Sequence, residues 1–351
     1  EIGKNINIGI NLGNLYAMDD DIENAINVWN ATLINNEMIG SLENEGMILI
    51  NKGVLNYFFE NYEKSAKDYE RANDIFNTLG NYNRVSLISS NLADIKLEIC
   101  EYDKAAQNIE LAELYLKKTN NFSELAEVLF QKSKLSLYIG DNKSIKKVKD
   151  ELEMLIEEQK VSSAAENIFN FVLAVESIVN DKIQPAKKYL KIYLDYFDDL
   201  SVQEDQIRYS KASFIIANLF LKENKFLEAK EILNDDKLKE LLKQKSLLTA
   251  ERLYLLSLIA AAKPDLTEKP QFELLSESLK LIEDKSITEL HYKVFFELAK
   301  YYEARGNINK RDYNLFYAKS LINFISESID NPELKKLYLS EMLRKQILEE
   351  E

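Results

Sequence analysis

The sequence predicts an all-α chain, a solenoid of repeated helix pairs, and three observations carry that expectation. Residues that break helices are scarce: 351 residues hold 9 Gly and 4 Pro, fewer than tight hairpins and long loops require. Apolar side chains recur at offsets of four and seven, the spacing of one helical face. The pattern returns every 40 residues, within the range of helical repeat arrays.

The period is clearest at the residue that follows a short polar turn and opens the second helix of a pair. It is Ala25 after Asp21-Ile22-Glu23-Asn24, and Ser65 after Asn61-Tyr62-Glu63-Lys64. Ala105 follows Glu101-Tyr102-Asp103-Lys104, Ile145 follows Gly140-Asp141-Asn142, and Pro185 precedes Ala186; each step is 40. Four residues later stand Trp29, Tyr69, Ile109 and Tyr189, with Lys149 the exception, and seven later stand Thr32, Ala72, Ala112, Leu152 and Ile192. Together they make one stripe on one face. Twelve residues earlier lie Gly13, Gly53, Ala93, Ser133 and Leu173. All but the last are small, which predicts close approach of helix backbones there.

Further on the period loosens. One unit surrounds Ala217, Asn224, Ala229 and Leu233; an irregular one has helices near 248–262 and 272–283, framed by Pro264 and Pro270. The last unit carries Leu298-Ala299, Tyr302, Gly306, Leu315 and Ala318. The expected units lie near 6–40, 46–80, 86–120, 126–160, 166–200, 210–242, 248–284 and 290–328. Asp330-Asn331-Pro332 reads as a helix start with proline in the first turn. Leu334, Leu337, Tyr338 and Ile347 then predict one capping helix over 331–351, lying on the last unit. At the other end Ile2, Ile6 and Ile10, at four-residue spacing, have no polar helix before them. Either something precedes residue 1, which is Glu rather than Met, or a second copy packs there.

The run Leu-Gly/Ala, Tyr, Gly/Asn-x-Tyr-x-x-Ala, then Tyr and Ala resembles the tetratricopeptide repeat; the first unit shows it as Leu12-Gly13, Tyr16, Ala25 and Trp29. The minimal repeat is about 34 residues, so these units are longer. They are similar to long repeats of bacterial sensory proteins that flank kinases, cyclases or ATPase switches, and 321–348 resembles the closing segment of such arrays. The resemblance covers nearly the whole chain. It implies a right-handed superhelical solenoid of about eight helix pairs whose first helices line a concave groove that binds a protein or peptide segment.

Composition narrows the function classes. With 45 Lys and Arg against 59 Asp and Glu, the net charge is −14, which disfavours nucleic acid and anionic membranes. Lys143, Lys146, Lys147 and Lys149 read as a solvated helix face. Cys100 is the sole cysteine, so an intrachain disulfide is impossible and a multi-thiolate zinc site is excluded; a reducing cytoplasm fits. The longest apolar run, 253–262, is too short to span a bilayer.

Catalytic and cofactor chemistry is not expected. His291 is the sole histidine and reads as a helix-face residue. Cys100 ends a helix beside Glu101 and Asp103, which raise a thiol pKa. Asp19-Asp20-Asp21 fails the calcium-loop pattern, since Asn24 and Asn30 stand where Gly and Glu are needed; it reads as a helix stop and N-cap. No Gly-x-x-x-x-Gly-Lys phosphate loop occurs.

One polar row keeps the period: Asn11, Asn51, Asn91 and Gln131, with Asn14, Asp94 and Lys134 three residues on from three of these, and Asn170 and Asn218 nearby in later first helices. Amides donate and accept together, so a row of them can pair with an extended peptide backbone whatever its side chains. The same row can instead bridge neighbouring first helices or stand solvated. The sequence therefore predicts a non-catalytic peptide-binding domain, the sensory or adaptor part of a larger regulator. A passive scaffold and a small-ligand sensor remain as alternatives.

Overall fold

The computed structural model describes 2–350 other than 20, 159, 198, 199, 201 and 244; of 2–4 and 163 the backbone alone is described. Every element among the described residues is helical. The chain forms two compact units, Glu1–Glu98 with Lys104–Val128, and Ile99–Asp103 with Leu129–Glu351.

The first unit contains α1 (Ile2–Met18), α2 (Ile22–Glu37), α3 (Leu42–Phe58), α4 (Tyr62–Thr78), α5 (Tyr82–Glu98), most of α6 (Tyr102–Thr119) and the start of α7 (Phe122–Ile139). Helix α3 begins at Leu42, ahead of residue 46, because the Ser41 hydroxyl accepts from the Asn44 amide and starts the helix there. Asp21 caps α2 in the same way, through the Asn24 amide, as a bland reading of the aspartate run expects; Asp20 lies outside the described residues. Gly40 and Gly80 end α2 and α4 with φ of 71° and 67°, the left-handed turn that closes helices.

The small positions let the second helix pack closely on the first: the Ser65 hydroxyl of α4 donates to the Gly53 carbonyl of α3 at 2.6 Å. A Cβ on Gly13 would lie 2.2 Å from Nε1 of Trp29, and one on Gly53 would lie 2.8 Å from the Tyr69 ring. The gaps also admit the large ring of the second helix. Trp29 is buried and donates from its indole to the Ile10 carbonyl at 3.2 Å. The row Ile6 and Ile10 needs correction. Ile6 is fully buried and Ile10 packs on the Ala25–Trp29 cluster; the Ile2 side chain lies outside the described residues. The exposed row is Ile8, Leu12, Leu15 and Met18. Both rows are apolar, and the one offset by two residues points away from α2.

The second unit holds the rest of α7, α8 (Asn142–Glu157), α9 (Ser163–Val179), α10 (Ile183–Asp195), α11 (Gln203–Lys222), α12 (Phe226–Leu233), α13 (Asp236–Leu241), α14 (Ser246–Ala262), α15 (Gln271–Ile282), α16 (Glu289–Glu303), α17 (Ile308–Glu327), α18 (Pro332–Ser340) and α19 (Met342–Glu349). Here the forty-residue count slips by one. The left-handed turn residues run Glu60, Cys100, Gly140 and then Asp181. The buried stripe of α10 is accordingly Ala186, Leu190 and Tyr193, while Ile192 is exposed. In the shifted count Ala174, fully buried, takes the small position expected at Leu173.

The C-terminal segment is two helices rather than one. Asn331 caps α18, accepting from the Glu333 and Leu334 amides. The chain then turns at Glu341, extended at φ −61° and ψ 135°, whose carboxylate caps α19 through the Arg344 amide. Within this unit the Asp103 carboxylate accepts the Asp330 and Asn331 amides at 2.6 and 2.9 Å. Tyr338 and Ile347 are buried, and Arg344, also buried, donates to the Tyr138 carbonyl at 2.8 Å. The segment therefore ties to residues near 103 and 138 as well as to α16 and α17.

Candidate functional site

The polar row on the first helices is the strongest site the sequence offers, and the structure divides it. In the first unit, Asn51 of α3 donates to the Asn14 side chain of α1 at 2.7 Å. That bond fastens one first helix to the next. Asn91 of α5 donates to the Tyr69 hydroxyl of α4 at 3.1 Å. Asn11 is exposed, and Asp94 is half-buried. Beneath the row, Lys52 pairs with Asp68 at 3.9 Å, and Asn56 donates to the same carboxylate. Burial raises the Asp68 carboxyl against the pull of Lys52 and the Asn56 hydrogen bond.

In the second unit Gln131 is buried and Lys134 lies over the Phe130 ring at 5.7 Å. The row reaches Phe171 by the count of forty and the buried Val172 with the one-residue slip, so Asn170 stands off it, its amide turned back to the Glu166 carbonyl of its own helix at 3.1 Å. Asn218 follows Ala217, as Asn14 follows Gly13, so it joins the row of Asn14, Asp94 and Lys134, and it is exposed. Amides in such a row hold two donors and an acceptor each. A partner that spends one internal bond still leaves capacity for a backbone laid alongside.

A second concavity, which the sequence did not reveal, lies in the second unit between α10 and α12. It encloses about 490 Å³, with Tyr209, Ile216 and Phe220 of α11 on its wall and Asp195, Glu228, Glu231, Lys191 and Lys237 around it. Lys237 donates to the Phe197 carbonyl and sits 4.9 Å from the Tyr209 ring centre. Burial, then the Asp235 and Asp195 carboxylates, push the Tyr209 hydroxyl up.

The titratable residues that draw the eye in the sequence are engaged in the fold. His291 lies on α16, near its start, and its face is buried. Its Nδ1 accepts the Thr288 amide at 3.1 Å and its Nε2 meets the Ile282 carbonyl at 3.1 Å. With Nε2 donating, the ring is neutral, and burial lowers its pKa. Cys100 is buried, and burial with the Glu289 charge pushes its thiol up. Asp103, expected to act on that thiol, instead holds the start of α18. Glu289 shows the opposite balance. Burial would raise its carboxyl, but Arg344 and Lys293, with hydrogen bonds from Tyr292 and Tyr102, bring it down to about 2. The Glu289 carboxylate is held ionised, the His291 imidazole neutral and the Cys100 thiol protonated.

No family model matches the sequence, and no curated protein matches it. Solved structures do. NprR in complex with its cognate peptide NprX aligns at a TM-score of 0.65 and 14% identity, covering 89% of this chain and 85% of that one. A Rap protein complexed with competence and sporulation factor aligns at 0.60 and 12% identity, covering 94% and 99%. The apo form of the quorum sensor NprR from B. thuringiensis aligns at 0.58 and 15%, covering 90% and 87%. The likeness is one of fold, an all-α solenoid of tetratricopeptide-like repeats.

Proposed function

We propose that this chain is a non-catalytic repeat domain that binds an extended peptide along its first helices, as the sensory or adaptor part of a larger bacterial-type regulatory protein. The observation that carries the reading is a joint one. Two of the similar structures hold a bound peptide or factor, NprX on NprR and competence and sporulation factor on Rap, and align over 89% and 94% of this chain. In the first unit the first helices carry Asn11, Asn14, Asn51, Asn91 and Asp94, and in the second unit Lys134 and Asn218, side-chain types that pair with a peptide backbone, whereas Gln131 is buried and Asn170 is turned back on its own helix. The net charge of −14 supports a partner that is neither nucleic acid nor an anionic membrane. No described helix is long and apolar enough to cross a membrane, and a reducing cytoplasm suits the lone buried thiol of Cys100. A stack whose neighbours join through a few polar bridges can change curvature in small steps, which is how ligand binding would reach a neighbouring domain. The test is Asn51→Ala with Asn91→Ala. Retained helicity with at least tenfold weaker peptide binding supports the reading; unchanged binding makes the row structural.

The cavity beside Tyr209 favours a second reading, a small-ligand sensor. A ligand-protected Tyr209 region in hydrogen exchange, with the Asn51 and Asn91 substitutions silent, would select it. A passive scaffold predicts no ligand-dependent change in scattering radius. Besides the peptide, we include self-association through the first helix pair among the contacts this domain makes.

A further inference from the structure

We propose that the C-terminal segment is a clasp that closes the second unit on itself, so that the curvature change accompanying peptide binding is carried by the first unit; the second half of this rests on the peptide reading above.

A helical repeat array is quasi-one-dimensional, each pair touching only its neighbours, and small rotations add along the stack. The first unit is of that kind: α1 packs on α2 and α3, α3 on α4, and α4 on α5. Side-chain bonds between its helices span short stretches of chain, as from Asn51 to Asn14 and from Arg71 to Glu45. The second unit adds bonds of another range. The Asp103 carboxylate accepts the amides of Asp330 and Asn331, 227 and 228 residues on. The Tyr102 hydroxyl donates to Glu289, 187 residues away, and Arg344 donates to the Tyr138 carbonyl across 206. The Tyr102 ring centre stands 5.6 Å from that of Tyr338 and 5.9 Å from that of Tyr138. Residues at the beginning of this unit in chain order are thereby fastened to its end. Between them α8, α9, α10, α11, α14, α15 and α16 pack each on the next.

An open stack bends by summing small rotations, whereas one fastened at both ends must keep their sum fixed. A change at any helix pair then has to be undone by others or break the fastening. Breaking it is costly, because Tyr102, Tyr338 and Arg344 are buried, and a buried ion pair that parts strands its charges away from water. Burial would raise the Glu289 carboxyl, but Arg344 and Lys293 hold it at about 2, so the pair stays charged, and the clasp shut, through the neutral range. In the first unit the polar joins lie nearer to solvent: the Asn51–Asn14 bond is partly buried, and that of Arg71 with Glu45 is exposed. Water can take over such bonds at little cost. Asn11, Asn14, Asn51 and Asn91 of the amide row stand on that pliable stack.

Hydrogen exchange of the full chain, without ligand and resolved helix by helix by mass spectrometry, tests the clasp. Arg344→Met with Glu289→Gln removes both charges of the pair and strands neither. It is expected to keep its circular dichroism and to speed exchange about tenfold or more in α10 and α12, which hold no clasp residue, as well as in α18 and α19, with α2 and α4 unchanged. Asp103→Asn, which weakens the other fastening and leaves the ion pair intact, is expected to act in the same helices more weakly, and it decides the matter if the first variant does not fold. Acceleration confined to α16, α18 and α19 makes the contacts a simple docking of the C-terminal segment and overturns the clasp. The first-unit half is read with a peptide retained from a pool of random linear peptides. That peptide is expected to change exchange in α2 and α4, second helices outside the amide row, and to leave α10 and α12 as they were. A change in α10 and α12 overturns that half while the clasp stands. Retention of no peptide overturns the peptide reading and that half with it, and the clasp then stands or falls on the two variants alone.

Discussion

Arg344 of α19 and Glu289 of α16 form a buried ion pair at 2.5 Å. The guanidinium donates as well to the Tyr292 hydroxyl at 3.1 Å and the Tyr338 carbonyl at 3.0 Å, and lies 4.0 Å from the Tyr338 ring centre. Glu289 accepts from Tyr102 at 2.8 Å and Tyr292 at 2.7 Å. Removing one partner of such a pair strands the other charge away from water. Arg344→Ala is expected to cost about 3–5 kcal/mol and to loosen α18 and α19 first, read by limited proteolysis that trims the chain after Glu327. Uncut α18 and α19 would contradict this. Because Glu289 is held at about 2 against a usual 4.5, the folded state releases this proton more readily than the unfolded one. Its contribution is full above about pH 4.5 and is lost as pH falls toward 2.

His291 titrates in the opposite sense from a solvent-exposed imidazole gaining a carboxylate. Its pKa is lowered from 6.5 by burial, so the unfolded chain takes the proton first. The stability tied to the neutral ring is present above about 6.5 and is lost as pH falls through the lower folded value. As the sole histidine, it gives one unambiguous imidazole signal by NMR. That signal is expected to show the Nε2–H tautomer and a midpoint below 6.5; a midpoint at or above 6.5 would contradict the burial assigned to it.

Gly13→Ala sets helix propensity against packing. Alanine favours a helix over glycine by about 1 kcal/mol. The new methyl would fall 2.4 Å from Cδ1 of Trp29, and a buried indole has little room to move. The clash is expected to win, with a net loss of about 1–3 kcal/mol and a changed emission of Trp29, the sole tryptophan.

Asp181 tests the turn between α9 and α10. It is exposed and left-handed at φ 55°, the place glycine fills after α7. Asp181→Gly is expected to stabilise by about 0.5–1 kcal/mol, measured as a raised midpoint in urea.

The helix pairs were legible because the residues that repeat are packing residues: a small opener such as Ala25, a ring such as Trp29 four residues on, and a gap at Gly13 to take it. The turn lengths were less so. An added residue near 158–162 shifts the stripe to Ala186, Leu190 and Tyr193, and Pro185 and Ile192 kept the count of forty only by coincidence. The orientation of α1 was hidden because Ile6/Ile10 and Ile8/Leu12 are equally apolar rows. Arg344 and Glu289 are far apart in sequence, and no local pattern links an arginine on one short helix with a glutamate at the start of another. Of the amide row, the sequence offered the bridge between first helices that Asn51 makes to Asn14, but not the bond of Asn91 to the Tyr69 hydroxyl of a second helix.

The central claim, that the first-helix row holds an extended peptide, is tested most directly by offering the chain a pool of random linear peptides. Retained species would be identified by mass spectrometry, and one of them titrated by calorimetry. The wild type is expected to retain a defined subset and bind one with micromolar or better affinity, and Asn51→Ala with Asn91→Ala to weaken that binding at least tenfold at unchanged helicity. Retention of no peptide, or equal binding by the double variant, would contradict it.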